Sequence, residues 1–275
     1  MNKYTIEKEI KRGAFGAIYK GFVKKTREQI AIKIDHSEMP TLQHEVRMIQ
    51  YLYMAKVRNI PSVYWFGLHE EKPSLIMTYY ECSLFDYSIS KIIDNEKADM
   101  ILLKALDIFE NIHKLFVLHR DIKPQNFMIK DGDIYLIDFG LSMFYINENG
   151  EHYPDKISDT MIGSANFASI HIHNGNRYSR RDDLIALGYL YLFMIGSPFV
   201  STNETSDLPI INILHPMNQT LKKQKEMDNL RTLLSNKTIE YYMNYVYSLE
   251  YDETPKYEPL KLMFIKKVSH FEHMC

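Results

Sequence analysis

The pattern of hydrophobic and polar residues changes character about a third of the way along the chain. Before that point, apolar and polar residues alternate in short runs, which predicts half-buried β-strands. Three strands are expected within residues 4–35, and two more near residues 62–69 and 74–79. Between them, apolar residues recur at helical spacing and predict one amphipathic helix over residues 41–54. The first 80 residues are therefore predicted to form a mostly antiparallel sheet with one major helix.

The remainder of the chain is predicted to be mostly helical. The longest periodic apolar stripe lies in residues 97–116. Asp131-Gly132 separates two short apolar runs and predicts a β-hairpin. Residues 141–181 and 197–218 are rich in polar and turn-forming residues, and they are predicted to be long loops of the kind that often carry function. Further helices are expected at residues 182–196, 219–232, 237–249 and 257–268.

Composition and charge narrow the class of protein. The 275 residues are 45% hydrophobic and 25% charged, which is ordinary for a soluble globular protein. The formal net charge is −2, so no overall basic field would collect nucleic acid. Cys82 and Cys275 are too few for a disulfide framework and fit a reducing compartment. The first residues lack the apolar core of a signal peptide, and the longest apolar run, residues 184–195, is shorter than the ~20 residues that span a bilayer.

The strongest chemical signal lies between the long predicted helix and the predicted hairpin. Residues 119–126 read His-Arg-Asp-Ile-Lys-Pro-Gln-Asn, residues 138–140 read Asp-Phe-Gly, and residues 31–33 read Ala-Ile-Lys. Phosphoryl transfer depends on charge neutralisation and in-line positioning more than on covalent help from the protein. These motifs supply a proton acceptor, hard oxygen ligands for Mg²⁺ and cations for phosphate groups. The motifs therefore predict ATP-dependent phosphoryl transfer.

Four polar side chains in the motifs at residues 119–126 and 138–140 are each predicted to take part in that chemistry. Asp121 is the predicted catalytic residue that accepts the proton of the substrate hydroxyl group. Lys123 is the second predicted catalytic residue, and it offsets charge on the transferring phosphoryl group. Asn126 and Asp138 are the predicted metal ligands, because amide and carboxylate oxygens suit Mg²⁺.

The nucleotide itself is predicted to bind in the sheet-rich region. Lys33 is expected to hold the α- and β-phosphates of ATP, and Glu45 on the first helix is expected to pin Lys33 through an ion pair. Met77 ends an apolar strand and is predicted to face the adenine base. The other predicted ATP-binding residues are Ile10, Gly13, Phe15, Gly16, Ile18, Ala31, Tyr80 and Met128.

Taken in order, these pieces resemble the signature of the eukaryotic protein kinases. Each piece alone has an ordinary structural explanation, such as a turn for Asp-Phe-Gly or a strand end for Ala-Ile-Lys. The resemblance implies an α+β, bilobal protein kinase fold, in which residues 1–80 form the N-lobe and residues 81–275 the C-lobe of one kinase domain. The matching pieces are residues 13–16, 31–33, 45, 119–126 and 138–140.

A narrower set of residues resembles the casein kinase I family. Residues 162–170 read Ile-Gly-Ser-Ala-Asn-Phe-Ala-Ser-Ile where most protein kinases have Ala-Pro-Glu, and residues 179–184 read Ser-Arg-Arg-Asp-Asp-Leu. Phe127 and the closing segment 248–257 are also similar to that family, and the resemblance covers about residues 4–268. It implies a serine/threonine protein kinase that uses ATP and Mg²⁺.

The casein kinase I resemblance also implies a class of substrate. Members of the family prefer Ser or Thr near acidic or already phosphorylated residues, which requires a cationic pocket beside the peptide groove. Arg180 and Lys225 match basic residues of the family, and we predict that both bind the substrate's anion. The alternatives are that Arg180 belongs to a structural ion-pair network and that Lys225 is a solvated helix charge.

The resemblance is compatible with several cellular roles. It implies a role in DNA repair, the cell cycle or vesicle traffic. We expect a monomer in the cytoplasm, the nucleus or both, which acts on protein substrates without direct contact with nucleic acid or membranes. We expect no long regulatory tail of the kind common in the family, and therefore no autoinhibition by a tail. Asp183 is predicted to cap the backbone of the catalytic loop.

The sequence departs from the family at a few positions, and three rival functions stay open. Lys11 stands where the family has its first phosphate-loop glycine, and Asn166 and Phe167 replace an Arg and a Tyr. A pseudokinase scaffold would be expected to have lost one of the main catalytic side chains. A small-molecule kinase would usually lack the Lys-Pro-x-Asn run, and a nucleic-acid binder conflicts with the net charge of −2.

Overall fold

The structure is a computed structural model that does not describe every residue. The predicted ATP-binding residue Phe15 and most of the predicted loop at 197–218 and helix at 219–232 lie outside the described residues. The described residues are 2–13, 16–36, 41–91, 93–158, 160–197, 215–216, 225–227, 230, 234 and 236–271.

The N-terminal region forms one five-stranded antiparallel sheet. Its strands are β1 (Tyr4–Gly13), β2 (Gly16–Val23), β3 (Gln29–Asp35), β4 (Val63–His69) and β5 (Lys72–Thr78). Their order across the sheet is β1-β2-β3-β5-β4, so β3 and β5 are central. Both faces of β3 are buried, and successive side chains point to opposite faces. Ile30 and Ile32 pack with Ile76 on one face, while Ala31 packs with Met77 on the other.

Helix α1 (Thr41–Met54) covers one face of this sheet. Its apolar stripe is the reason: Leu42 and Val46 join the cluster of Ala31 and Met77, while Ile49, further along the helix, packs into the main core. The helix spans the residues that the sequence pattern predicted. Five strands and one helix were expected here, and this arrangement is confirmed.

The rest of the chain is mostly helical, again as predicted. Short strands and turns connect the helices, and the predicted Asp131-Gly132 hairpin is formed by β8 and β9. The elements in chain order are β6 (Cys82–Ser83), α2 (Leu84–Ser90), α3 (Asn95–Lys114), β7 (Val117–Leu118), β8 (Phe127–Lys130), β9 (Asp133–Leu136), β10 (Met143–Phe144), β11 (Thr160–Met161), α4 (Ile170–His173), α5 (Arg180–Met194), β12 (His215–Pro216), α6 (Lys237–Ser248) and α7 (Tyr257–Phe271). Two 3-10 turns lie at Pro124–Asn126 and Phe139–Leu141.

Two short helices differ from the sequence predictions. Helix α2 was not predicted because seven residues are too few for a clear periodic pattern. A capping box fixes its start, since the hydroxyl group of Ser83 accepts from the backbone N–H of Asp86 at 3.1 Å and the Asp86 carboxylate accepts from the backbone of Ser83 at 3.3 Å. Residues 141–181 were predicted as one loop, but they contain β10, β11 and α4.

Helix α5 lies at the centre of the helical region. Every residue of α5 except Phe193 is buried, and the helix packs against α3 on one side and α6 on another. This burial explains the apolar run of residues 184–195, because a helix surrounded by protein is hydrophobic on all sides. Within the described ranges, no helix has both the length and the apolar composition needed to cross a bilayer.

The close packing of α5 on α6 is tested by adding one methyl group. A Cβ at Gly188 would lie 2.1 Å from the sulfur of the fully buried Met243. The substitution Gly188→Ala is therefore expected to lower the free energy of unfolding by about 1–3 kcal/mol through overpacking. Chemical denaturation measures the change. The double variant G188A/M243A should lose less than the sum of the two single losses, and strictly additive losses would contradict this packing.

Candidate active site

The backbone of the predicted catalytic loop is held by a buried carboxylate on α5. Asp183 accepts from the backbone N–H of His119 at 2.9 Å and from that of Arg120 at 3.0 Å. Arg120 has a positive φ of 67°, a conformation that is strained for a residue with a Cβ and must be maintained by its surroundings. The predicted capping role of Asp183 is thus observed, and it fixes the backbone immediately before Asp121.

A second group on Asp183 comes from α3 and was missed by the sequence reasoning. The Nε2–H of His113 donates to Asp183 at 3.0 Å, and the hydroxyl group of Tyr257 donates to the other ring nitrogen of His113. Burial acts to raise the pKa of Asp183, but the hydrogen bonds from the ring of His113 and the backbone of His119 hold it below its usual value. Asp183 is therefore an ionised anchor that ties α3, α5 and the catalytic loop together.

The loop places its polar side chains around Asp121, which is 5% exposed. One carboxylate oxygen of Asp121 accepts from the hydroxyl group of Ser164 at 2.7 Å. The other accepts from the ammonium group of Lys123 at 2.8 Å and from the amide of Asn126 at 3.0 Å. Three of the predicted site residues thus meet, and Ser164 joins them. Ser164 lies in the Ile-Gly-Ser segment quoted above, but sequence reasoning gave it no role.

The second group of predicted residues gathers around Lys33 on β3. Its ammonium group lies 2.7 Å from a carboxylate oxygen of Glu45 on α1 and 3.2 Å from one of Asp138. Burial acts to lower the pKa of Lys33, but the two carboxylates outweigh that effect and raise it. The charge of Lys33 lowers the pKa of Asp138 to about 2, with a further contribution from Lys123. Lys33 is therefore a cation and Asp138 an anion at neutral pH.

The two groups lie side by side. The backbone N–H of Ile137, the residue before Asp138, donates to the backbone oxygen of Asn126 at 2.9 Å. The amide nitrogen of Asn126 points to Asp121, donating to its backbone oxygen at 2.7 Å, so the amide oxygen is the atom that Asn126 can offer to a cation. Asp138 sits in the left-handed conformation, with φ 65° and ψ 70°, at the start of a 3-10 turn.

These donors fit a magnesium ion of the kind that accompanies ATP. Among the described residues, no group of three or more His, Cys, Asp or Glu side chains is placed to hold a metal. The fit depends instead on the carboxylate of Asp138 and the amide oxygen of Asn126, and Mg²⁺ usually completes such a site with water and substrate phosphates. When bound there, Mg²⁺ would neutralise charge on the phosphate oxygens.

The apolar residues that are predicted to contact the adenine base come from the central strands of the sheet and from the segment that follows them. Ala31 and Met77 lie opposite each other on β3 and β5, and each is 7% exposed. Met128 lies opposite Ser83 in the pairing of β6 with β8, directly after the segment that joins the sheet to the helices. Tyr80, in that segment, is buried, and its ring centroid lies 4.9 Å from that of Tyr135.

The remaining predicted ATP-binding residues lie on β1, the edge strand of the sheet, and on β2 beside it. Ile10 is 49% exposed, and Ile18 lies opposite Lys33 in the sheet. Gly16 needs to be glycine because a Cβ there would lie 1.9 Å from the backbone oxygen of Ile34. Gly13 pairs with Gly16 at the end of the two strands, and the turn residues between them lie outside the described part of the chain.

Comparison with known families agrees with this geometry. The family model described as a protein kinase domain matches residues 4–253, which is most of the chain. The chain belongs to the protein kinase domain family. The α+β, bilobal fold expected from the sequence is thereby confirmed, and so is the broad activity of a phosphotransferase. Protein kinases generally use ATP and Mg²⁺ and act on protein substrates.

Arg180 is one of the two predicted anion-binding residues of this kinase. Its guanidinium group already makes hydrogen bonds within the protein. The residue is 9% exposed, and its guanidinium group lies over the ring of Tyr145. It donates to the hydroxyl groups of Tyr145 and Thr254 at 3.2 Å and to the backbone oxygen of Asp252 at 2.5 Å. Arg180 thus belongs to a buried structural network, although its partners are neutral oxygens rather than carboxylates.

Lys225, the other predicted anion-binding residue, is buried as well. It is 1% exposed, so the alternative of a solvated helix charge is wrong. Its ammonium group donates to the backbone oxygens of Ala165 at 2.8 Å and Ala168 at 2.5 Å. Burial lowers the pKa of Lys225, and its amine, like the guanidinium group of Arg180, has taken acceptors inside the protein. Arg180 and Lys225 share no acceptor among the described residues, and their convergence on a substrate anion stays a prediction.

The first turn of α5 carries a second buried carboxylate. Asp182 is 2% exposed and accepts from the backbone N–H of Ser179 at 2.7 Å and from the hydroxyl group of Ser169. Ser169 is the N-cap of α4 and accepts from the backbone of Ile172 at 3.1 Å. Asp182 therefore connects α4 to α5, and burial raises its pKa to about 6.

The ion pair at Lys33 predicts separate effects on activity and on stability. Lys33→Met is expected to abolish most phosphoryl transfer and to lower the free energy of unfolding by about 3–5 kcal/mol, because Glu45 would be buried without a partner. The double variant K33M/E45M removes both charges and should recover stability but not activity. Denaturation and kinase assays measure the two effects. A double variant as unstable as the single one would contradict the role of the buried pair.

The raised pKa of Asp182 predicts a pH-dependent stability. Between about pH 4 and pH 6 the unfolded chain loses the proton of this carboxyl group while the native protein keeps it. The free energy of unfolding should therefore fall as the pH rises through that range. Asp182→Asn cannot ionise and should fall less steeply, as measured by denaturation at several pH values. Parallel profiles for the variant and the parent would refute the assignment.

Proposed function

We propose that this chain is an ATP-dependent serine/threonine protein kinase resembling casein kinase I. The proposal is supported mainly by one observation: the cation of Lys33 is held by Glu45 and Asp138 directly beside the carboxylate of Asp121 and its partners. A nucleotide with its phosphates at Lys33 would then present the terminal phosphoryl group to Asp121.

The proposed roles follow from the charges at each atom. Asp121 accepts the proton of the attacking hydroxyl group and orients its oxygen, while the hydrogen bond from Ser164 fixes the carboxylate. Lys123, 2.8 Å from Asp121, offsets charge on the phosphoryl group as it moves between the two oxygens. Lys33 holds the phosphates of the nucleotide, and Asp138 with Asn126 supplies oxygen ligands for its cation.

The proposed substrates are Ser or Thr residues of proteins, near acidic or phospho-primed positions. The serine/threonine preference is supported by the resemblance of residues 124–127, 162–170 and 179–184 to casein kinase I. The acidic preference is supported by that resemblance alone. Arg180 and Lys225 would have to release their internal acceptors before either could bind a substrate phosphate.

The cellular setting is proposed on the same resemblance. The chain would act as a monomer in the cytoplasm, the nucleus or both, in DNA repair, the cell cycle or vesicle traffic. The pseudokinase alternative is disfavoured because Lys33, Asp121 and Asp138 are all present and in contact with the partners that their roles require.

The proposal predicts phosphate transfer from radiolabelled ATP to casein. Asp121→Asn keeps the shape of the side chain but removes the proton acceptor, so it should lower kcat by about 10²- to 10⁴-fold. Phosphoamino acid analysis of the labelled casein should give phosphoserine and phosphothreonine. Label on tyrosine, or equal activity in the parent and in D121N, would refute the proposed function. Matched peptides with and without a phosphoserine near the target test the priming preference in the same assay.

A further inference from the structure

One side chain of α1 makes a hydrogen bond to the C-lobe, next to the ion pair of Lys33. His44 precedes Glu45 in the helix, and its side chain leaves the helix on a different side from the buried Glu45. The Nε2–H of His44 donates to the backbone oxygen of Ser142 at 2.8 Å. Ser142 lies four residues after Asp138, at the end of the 3-10 turn that contains Phe139. His44 thus connects the helix that carries Glu45 to the segment that carries Asp138.

Residues 139–142, which contain the oxygen that accepts from His44, are held by two further sets of hydrogen bonds. The backbone N–H of Ser142 donates to the backbone oxygen of Phe139 at 3.2 Å, and the Ser142 hydroxyl group donates to the same oxygen at 2.5 Å. Arg120 of the catalytic loop donates to the backbone oxygen of Leu141 at 2.6 Å. The oxygen that His44 reaches therefore belongs to a rigid turn, so the bond can position α1 against it.

A second contact lies on the same face of α1, two turns further along. Tyr51 follows His44 by seven residues, a spacing that returns to the same side of a helix. Its ring meets that of Phe144 edge-on, with centroids 5.1 Å apart, and its hydroxyl group donates to the backbone oxygen of Leu115 at 3.2 Å. Phe144 pairs with Val117 in the small sheet that leads directly into the catalytic loop.

We propose that His44 is a positioning residue that holds α1 against the Phe139–Leu141 turn and so keeps Glu45 within reach of Lys33. Lys33 and Asp138 come from different lobes, and Glu45 can complete their ion pair only while α1 is docked on both. The hydrogen bond from His44 does not depend on an added charge, such as a phosphate group, on the residues that follow Ser142. The kinetic part of this inference rests on the proposed function, whereas the structural part does not.

The test compares three variants of the full chain. His44→Ala removes the bond, and His44→Gln retains an amide donor that can reach the same oxygen. Gln43→Ala is the control, because Gln43 is the neighbouring exposed residue of the same helix. Hydrogen–deuterium exchange of residues 41–54 measures the docking of α1. Steady-state kinetics with casein and ATP measure kcat and the KM for each substrate.

The inference predicts a specific pattern. Loss of one hydrogen bond should speed exchange in α1 by up to about fivefold in H44A. The value of kcat should fall by a similar factor with the KM for casein little changed, because the bond acts on phosphate positioning. H44Q should behave like the parent on both readouts, and Q43A should as well.

Two outcomes would overturn the inference. Exchange in H44A equal to that in Q43A would show that the bond does not hold the helix. Failure of H44Q to restore protection would show that ring packing, and not the donated hydrogen bond, is what matters. If the parent transfers no phosphate to casein, the proposed function fails, and the exchange data still decide the role of His44.

Discussion

The site depends on one constraint: buried charges must be paired. Lys33 has its ammonium group between the carboxylates of Glu45 and Asp138, and these three residues come from β3, α1 and the turn after β9. An unpaired charge in this position would cost several kcal/mol, so the sheet, the helix and the turn are favoured only in one relative arrangement. The same arrangement leaves a cation and a carboxylate facing the space where a nucleotide's phosphates would lie.

The catalytic loop is subject to a similar constraint, because its buried backbone N–H groups are paired with a carboxylate. Asp183, buried in α5, accepts hydrogen bonds from two consecutive backbone N–H groups of the loop and from the ring Nε2–H of His113. Because α5 is surrounded by protein on nearly every side, the anchor cannot move independently of the core. The strained backbone of Arg120 and the orientation of Asp121 are thus maintained by the helical region as a whole. Fold and chemistry are coupled at this single carboxylate.

Much of this could be predicted from the sequence, and the exceptions have physical causes. The sheet, α1, α3 and α5 follow from apolar periodicity, and the Asp121 and Lys33 groups follow from motifs that keep their spacing. Ser164 and His113 could not be assigned roles, because each meets its partner only through tertiary folding. The internal partners of Arg180 and Lys225 could not be predicted either. Sequence shows that they are basic, but not that burial has already committed them to backbone and hydroxyl oxygens.

The central claim is that Lys33, Asp121, Asn126 and Asp138 act on one nucleotide together with its cation. Calorimetric titration with ATP, in the presence and absence of Mg²⁺, tests this most directly when the parent is compared with an Asp138→Asn variant. Mg²⁺ should strengthen the binding of ATP to the parent, and this gain should be largely lost in the variant. Equal affinity with and without Mg²⁺ in the parent, or an undiminished gain in the variant, would contradict it.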